Sequence, residues 1–286
     1  MDVALALAAA LLFSLGTVLQ QAEASQASEE EARGAGFLLR LARRPRWLAG
    51  IAADALGFVG QAAALGIGRI VVVQPLLATS VVFSLPLGAW LEDKPVSRAE
   101  LLAALAVTAG LGAFLVLADP SGGVDNPEAS AWIVSFAVAA VLCAGLTLSA
   151  RGRSPVHRAA LLGTAAGILF ALSAALTKAT VEQLDDGVLT IFEHWQLYAL
   201  AVVGYVSMTL SQASLQAGAL APAVATQMAL DPVASLLLGT LAFKETIHDE
   251  TGALLAALAA FAVMIAGIGF LALREPASEG VPELQR

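Results

Sequence analysis

The chain has 286 residues, 58% of them hydrophobic and 13% charged, with a mean hydropathy of +0.80. Those values exclude an ordinary soluble domain, and a formal net charge of −8 argues against nucleic-acid binding. A single cysteine, Cys143, excludes a disulfide framework and a cysteine-paired metal site.

Nine apolar stretches fill the sequence, over 2–22, 47–67, 70–91, 99–118, 130–150, 159–180, 193–214, 219–243 and 251–273. Each is near the ~20 residues that a helix needs to cross ~30 Å of hydrocarbon. The expectation is an all-α, polytopic membrane protein of nine transmembrane helices, with no room left for a soluble domain. The first stretch follows Met1-Asp2 without a basic segment, so it reads as a retained helix rather than a signal peptide. It closes on Gln20 and Gln21 at the interface.

The second span holds Gly50, Asp54, Gly57 and Gln61 at i, i+4, i+7 and i+11, which share one helix face. Glycines there permit close helix approach, and the polar pair then points at a partner rather than at lipid. Asp54 lies seven residues beyond Trp47, about 10 Å into the membrane at ~1.5 Å per residue. A packing face held by one hydrogen-bonded acid and a substrate-lining face both fit. The third span carries Gln74, Pro75, Thr79, Ser80, Ser84 and Pro86, the pattern of an interrupted helix. Cys143 in the fifth reads as a small buried hydrophobe. Lys178 stands near the end of the sixth span, where it either snorkels to the interface or pairs with Asp231 or Glu182. Glu193, His194 and Gln196 open the seventh.

The eighth span contains the sharpest feature, Asp231 followed by Pro232 about midway along 220–242. An acid at that depth costs ~2.5–3.5 kcal/mol even on the lenient insertion scale, so it should face the bundle interior. Pro232 removes a backbone donor, and a break beside the acid suits cation or proton handling. Structural pairing of Asp231 with Lys178 is the competing interpretation.

Basic residues set the orientation. Arg33, Arg40, Arg43, Arg44, Arg46, Lys94, Arg98, Arg151, Arg153, Arg158, Arg274 and Arg286 fall on one set of alternating loops and the tail. Only Arg69, Lys178 and Lys244 lie on or near the other side. The positive-inside rule then puts the amino terminus outside and the carboxyl terminus in the cytoplasm, in the cell membrane. The outer loops carry Asp119, Asp125, Glu128, Glu182, Asp185, Asp186, Asp249 and Glu250.

A shift of 153 residues sets Leu101–Ala106 on Leu254–Ala259, identical at all six positions, with Gln74 on Gln227 and Glu92 on Glu245. Five spans separate the matching segments, so the two copies run in opposite directions. The expected organisation is one membrane domain over 1–286. It divides into a first repeat at 1–118, a linker helix at 130–150, a second, inverted repeat at 159–273 and a cytoplasmic tail at 274–286. Such repeats place a substrate site near the midplane between the halves.

The order of these features resembles the drug/metabolite transporter superfamily and, within it, the NIPA-type magnesium transporters. The carriers are Trp47-Leu48-Ala49-Gly50, Gly57, Val73-Gln74-Pro75-Leu76, Ala78, Ser80 and Glu92. They match the pattern W-x-A-G, a glycine, V-x-P-L-x-A-x-S and a closing glutamate. Lys178, Ala219, Pro222 and Phe243-Lys244-Glu245 extend it into the second half. The resemblance implies nine spans with an external amino terminus, and magnesium as cargo. The chain departs at Phe58, where the family carries an acid, with Asp54 one turn earlier. Gln20 and Gln21 stand where the family has lysines, and Asp231 has no place in the pattern.

The reading is a secondary transporter of a small solute, such as a divalent cation, working by alternating access. Asp231 and Asp54 are the candidate ion or metal ligands, Gln61, Gln74 and Gln227 orient the substrate, Lys178 is a further charged candidate, and Pro75 and Pro232 mark helix breaks. The alternatives are a proton-coupled exporter of small metabolites or drugs and a membrane scaffold without transport activity. No catalytic constellation or cofactor motif is present, so an enzyme is not expected. The expected partners are the lipid bilayer and a solute or cation, with a homodimer as an alternative to a monomer.

Overall fold

The computed structural model describes residues 1–24, 43–92, 96–217, 220–247 and 251–274. Arg33, Arg40, Lys94, Ala219, Asp249, Glu250 and Arg286 lie outside the described residues, as do the side chains of Gln21, Glu92, Asp185, Asp186 and Arg274.

Ten α-helices make nine spans among the described residues. They are α1 (Asp2–Ala24), α2 (Pro45–Ile67), α3 (Ile70–Leu77), α4 (Ser80–Glu92) and α5 (Arg98–Ala118). After the short strand β1 (Ser121–Gly122) come α6 (Ala129–Ser149), α7 (Pro155–Glu182), α8 (Trp195–Leu215) and α9 (Leu220–Leu241). Strand β2 (Glu245–Thr246) precedes α10 (Thr251–Arg274). Each span is long and apolar enough to cross a membrane, α3 and α4 together forming the third. The chain is a multi-pass, all-α membrane protein.

Local sequence explains the boundaries. Pro45 and Pro155 open α2 and α7, where their missing N–H is no loss. Ser97 and Glu100 form a reciprocal capping box at the start of α5. The outward surface is lipid-like, with Val116 and Val141 each more than 70% exposed. In water such a surface would be a liability, whereas in a bilayer it meets its own kind of solvent.

The third span is interrupted, but not at its first proline. Pro75 lies inside α3, and the break falls at Ala78 and Thr79. There Thr79 donates both its N–H and its hydroxyl to the Leu76 carbonyl, at 3.1 and 2.6 Å, closing one helix before the next begins. The expected break at Pro232 is absent, since α9 runs through it without interruption. A Cβ at Gly167 of α7 would stand 2.7 Å from the Gln227 carbonyl, so α7 presses directly on this part of α9.

Small residues set the other helix contacts too. Gly16 of α1 meets Gly50 of α2, and Gly110 of α5 and Gly267 of α10 admit each other's helix. The helices pack as α1 with α2, α7 with both α8 and α9, and α5 with α10. α7 is the most enclosed span and α6 the most peripheral. At one end of the bundle β1 and β2 pair antiparallel, Ser121 opposite Thr246 and Gly122 opposite Glu245. This ribbon ties the α5–α6 loop to the α9–α10 loop and marks the ribbon end of the bundle.

Candidate solute-binding cavity

A cavity of about 520 Å³ lies at mid-depth in the bundle. Six spans contribute to its wall: α1, α2, the third span, α7, α8 and α9. Four of the polar residues expected from sequence converge there, Gln61, Gln74, Gln227 and Asp231. A polar side chain at this depth avoids lipid only by facing the interior, which is why the four share one space.

Asp231 is the single carboxylate on this wall. Its nearest polar partner is a neutral one, the Ser235 hydroxyl, which donates to Oδ1 at 3.3 Å. No ion pair to Asp231 is found among the described residues. An acid left with one weak donor on the wall of a buried cavity is a candidate for binding a proton or a cation. Pro232 adds to this: it deprives the Met228 carbonyl of its usual i+4 donor, and Met228 and Pro232 both line the cavity.

The amides are similarly unfinished. Gln74 is 3% exposed, and its Nε2 group has no partner among the described residues. Ser211 donates to Gln227 Oε1 at 2.8 Å, which fixes that amide and leaves its N–H groups outside the bond. Aromatic rings from four helices line the same cavity, Phe13, Phe58, Phe170 and Tyr205, the last at an open side where it is 75% exposed. The composite is an apolar, aromatic chamber with one acid and three amides, the usual mixture of a small-molecule site.

Asp54 and Lys178 are not part of it. The Asp54 carboxylate sits against Gly16 between α1 and α2, where Gln20 Nε2 donates to Oδ2 at 2.6 Å. The face Gly50, Asp54, Gly57 and Gln61 exists as expected, but only Gln61 reaches the cavity, and Asp54 takes the packing role. Gln20, read from sequence as a residue of the interface, is its partner. Asp54→Asn should therefore change folding stability by no more than about 1 kcal/mol, read as a small shift in melting temperature, and leave ligand responses intact. A lost ligand response in well-folded Asp54→Asn protein would return Asp54 to the site.

Lys178 neither reaches water nor pairs with Asp231. It is 6% exposed, and Nζ donates to the carbonyls of Gly68 at 2.8 Å and Leu65 at 3.2 Å. These are orphan acceptors at the end of α2, where a cation also complements the helix dipole. Asp125 completes the environment, 3.6 Å from the ammonium.

Glu245, matched to Glu92 by the repeat but given no role from sequence, has a defined one. It is 3% exposed at the ribbon end, and its carboxylate oxygens accept from the N–H groups of Ile70 at 2.8 Å and Val71 at 2.9 Å. It thus caps α3 from the opposite half of the chain. Burial pushes its carboxyl above the usual range, while the two backbone donors, Lys178 and Arg69 pull it back. The aromatic walls were also missed, because a phenylalanine in an apolar span has nothing in sequence to set it apart.

No protein-family model matches the sequence, and no solved structure matches it. An uncharacterized protein of Corynebacterium glutamicum is 30% identical over 241 residues, covering 84% of this chain and 83% of that one. Identity sustained over so much of both chains shows that this chain belongs to the same family as that Corynebacterium protein.

Proposed function

We propose that the chain is a secondary transporter that carries a small solute by alternating access around the mid-depth cavity. The observation that carries this reading is the convergence of Gln61, Gln74, Gln227 and unpaired Asp231 on one chamber walled by both halves of the chain. Inverted repeats joined by α6 fit the packing. The contact of α1 with α2 has its counterpart in α7 with α8, α5 meets its own counterpart α10, and Gln74 and its counterpart Gln227 face the same space. Membership of the drug/metabolite transporter superfamily accords with these features.

The lining favours an organic solute with a cationic or hydrogen-bonding group over a bare divalent ion. Magnesium demands near-ideal octahedral oxygen ligation and keeps most of its water, usually held by carboxylates. This wall offers one carboxylate among aromatic rings, which suit an organic cation through its hydrocarbon and through cation–π attraction. Thermal melting of the purified protein against a panel of organic amines and magnesium tests the assignment. Amines should raise the melting temperature and Gln74→Leu should blunt the effect. Stabilisation by magnesium alone would return the cargo to the divalent cation that the resemblance implies, and no response to any ligand would favour the scaffold.

Orientation follows the positive-inside bias, with the ribbon end outside. Ser121→Cys at the ribbon and Ser154→Cys before α7, both exposed, should label from opposite sides of the membrane, Ser121→Cys from outside. Labelling of both from one side would refute the topology.

A further inference from the structure

The two ends of the bundle differ in a way that the repeat makes informative. At the ribbon end α2 packs on α7, so closely that a Cβ at Gly66 would lie 3.7 Å from the Val181 Cβ. The third span and α9 meet there as well, with a Cβ at Gly239 only 2.6 Å from Val71. A shift of five spans turns the α2–α7 pair into α8–α1, at the other end. Those two helices make no comparable contact, and the cavity lies against both, at Phe13 and Thr17 of α1 and Gly204 and Tyr205 of α8. In an inverted repeat, a contact made by one pair and missing from its counterpart is the difference between two conformations of the same protein.

We propose that Glu245 and Lys178 are the latch of a gate at the ribbon end, closed here, and that the cavity communicates with the opposite end between α1 and α8. This rests on the transporter reading. Glu245 holds the first turn of α3, and Lys178 holds the last turn of α2. Each therefore ties a first-half helix end to the second half, on either side of the turn at Gly68 and Arg69. The chemistry suits a reversible closure. Buried charges give little net stability, because their hydration offsets their pairing, so a polar latch releases into water at small cost. A wholly apolar seal would have to expose hydrocarbon to open. When the gate opens, α2 should leave α7 and α8 should close on α1.

The test uses the full chain in membrane vesicles of both orientations, with Cys143→Ala, a cavity reporter Ser173→Cys and a membrane-impermeant maleimide. Modification is read at residue 173 by mass spectrometry. The reporter should react from the end opposite the ribbon. From the ribbon end, Glu245→Ala should raise its rate about tenfold or more, as two charge-assisted hydrogen bonds are lost. The pair Gly66→Cys and Val181→Cys falls within disulfide reach. Its oxidation should abolish that gain while reaction from the opposite end persists, and reductant should restore the gain. Should Glu245→Ala not fold, the cross-linked pair in the otherwise unchanged protein still decides. Persistence of reaction from the opposite end supports the latch, and loss of it overturns the latch. Equal reaction from both ends in the parent, or no gain in folded Glu245→Ala, overturns the latch while leaving the cavity a solute path. Reaction from neither end in any variant overturns the transporter reading and the latch with it.

Discussion

Asp231→Asn should abolish transport while leaving the protein folded. Among the described residues the carboxylate meets only the Ser235 hydroxyl, at 3.3 Å, and asparagine accepts that hydrogen bond as well. Stability should therefore hold or rise, since an uncompensated charge at mid-membrane costs ~2.5–3.5 kcal/mol. Binding of a cationic solute, by contrast, loses its only charged partner on the cavity wall. Breaking a buried pair costs about 3 kcal/mol or more, which is at least ~100-fold in affinity or flux. The two measurements are the melting temperature in detergent and flux into liposomes. Unchanged flux by well-folded Asp231→Asn protein would remove this residue from the mechanism.

The largest loss of stability should come from a residue that touches no solute. A Cβ on Gly167 would stand 2.7 Å from the Gln227 carbonyl, 3.0 Å from the Leu230 Cβ and 3.2 Å from the Asp231 N. Two of these three neighbours are backbone, which cannot turn aside as a flexible side chain would. Gly167→Leu should therefore separate α7 from α9 and cost about 3 kcal/mol, at the upper end of overpacking penalties. It should lower the melting temperature and the yield of monodisperse protein. Gly112→Ala is the control: nothing lies within 4 Å of a Cβ there, and the substitution should be silent or slightly stabilising. Equal behaviour of the two variants would show that the α7–α9 contact is looser than described.

The spans were legible because twenty apolar residues in a row have few other uses. Their bounds differ from expectation mainly at α7, which begins at Pro155 and ends at Glu182 rather than covering 159–180. The cavity residues were legible for a related reason. A glutamine or aspartate in mid-membrane must turn inward, and Gln61, Gln74, Gln227 and Asp231 all did. The placements that sequence did not anticipate share one cause, a partner far along the chain. Asp54 finds Gln20, 34 residues away, and Lys178 finds carbonyls more than 100 residues away. Neither spacing leaves a local pattern to read. Proline proved a poor marker of breaks for a different reason. Pro232 removes one donor, but α7 packs against that turn closely enough to keep α9 continuous. The ribbon pairs only two residues from each strand, too few for any alternation to register.

On the proposed reading, the chamber around Asp231 moves a solute. Purified protein in liposomes loaded with an organic amine, under an imposed pH gradient, tests it directly. Downhill release faster than from equally loaded protein-free liposomes, accompanied by proton movement and lost in Asp231→Asn, is the predicted result. Release no faster than from protein-free liposomes, with folded protein inserted in the membrane, across amines, other metabolites and magnesium alike, would contradict it.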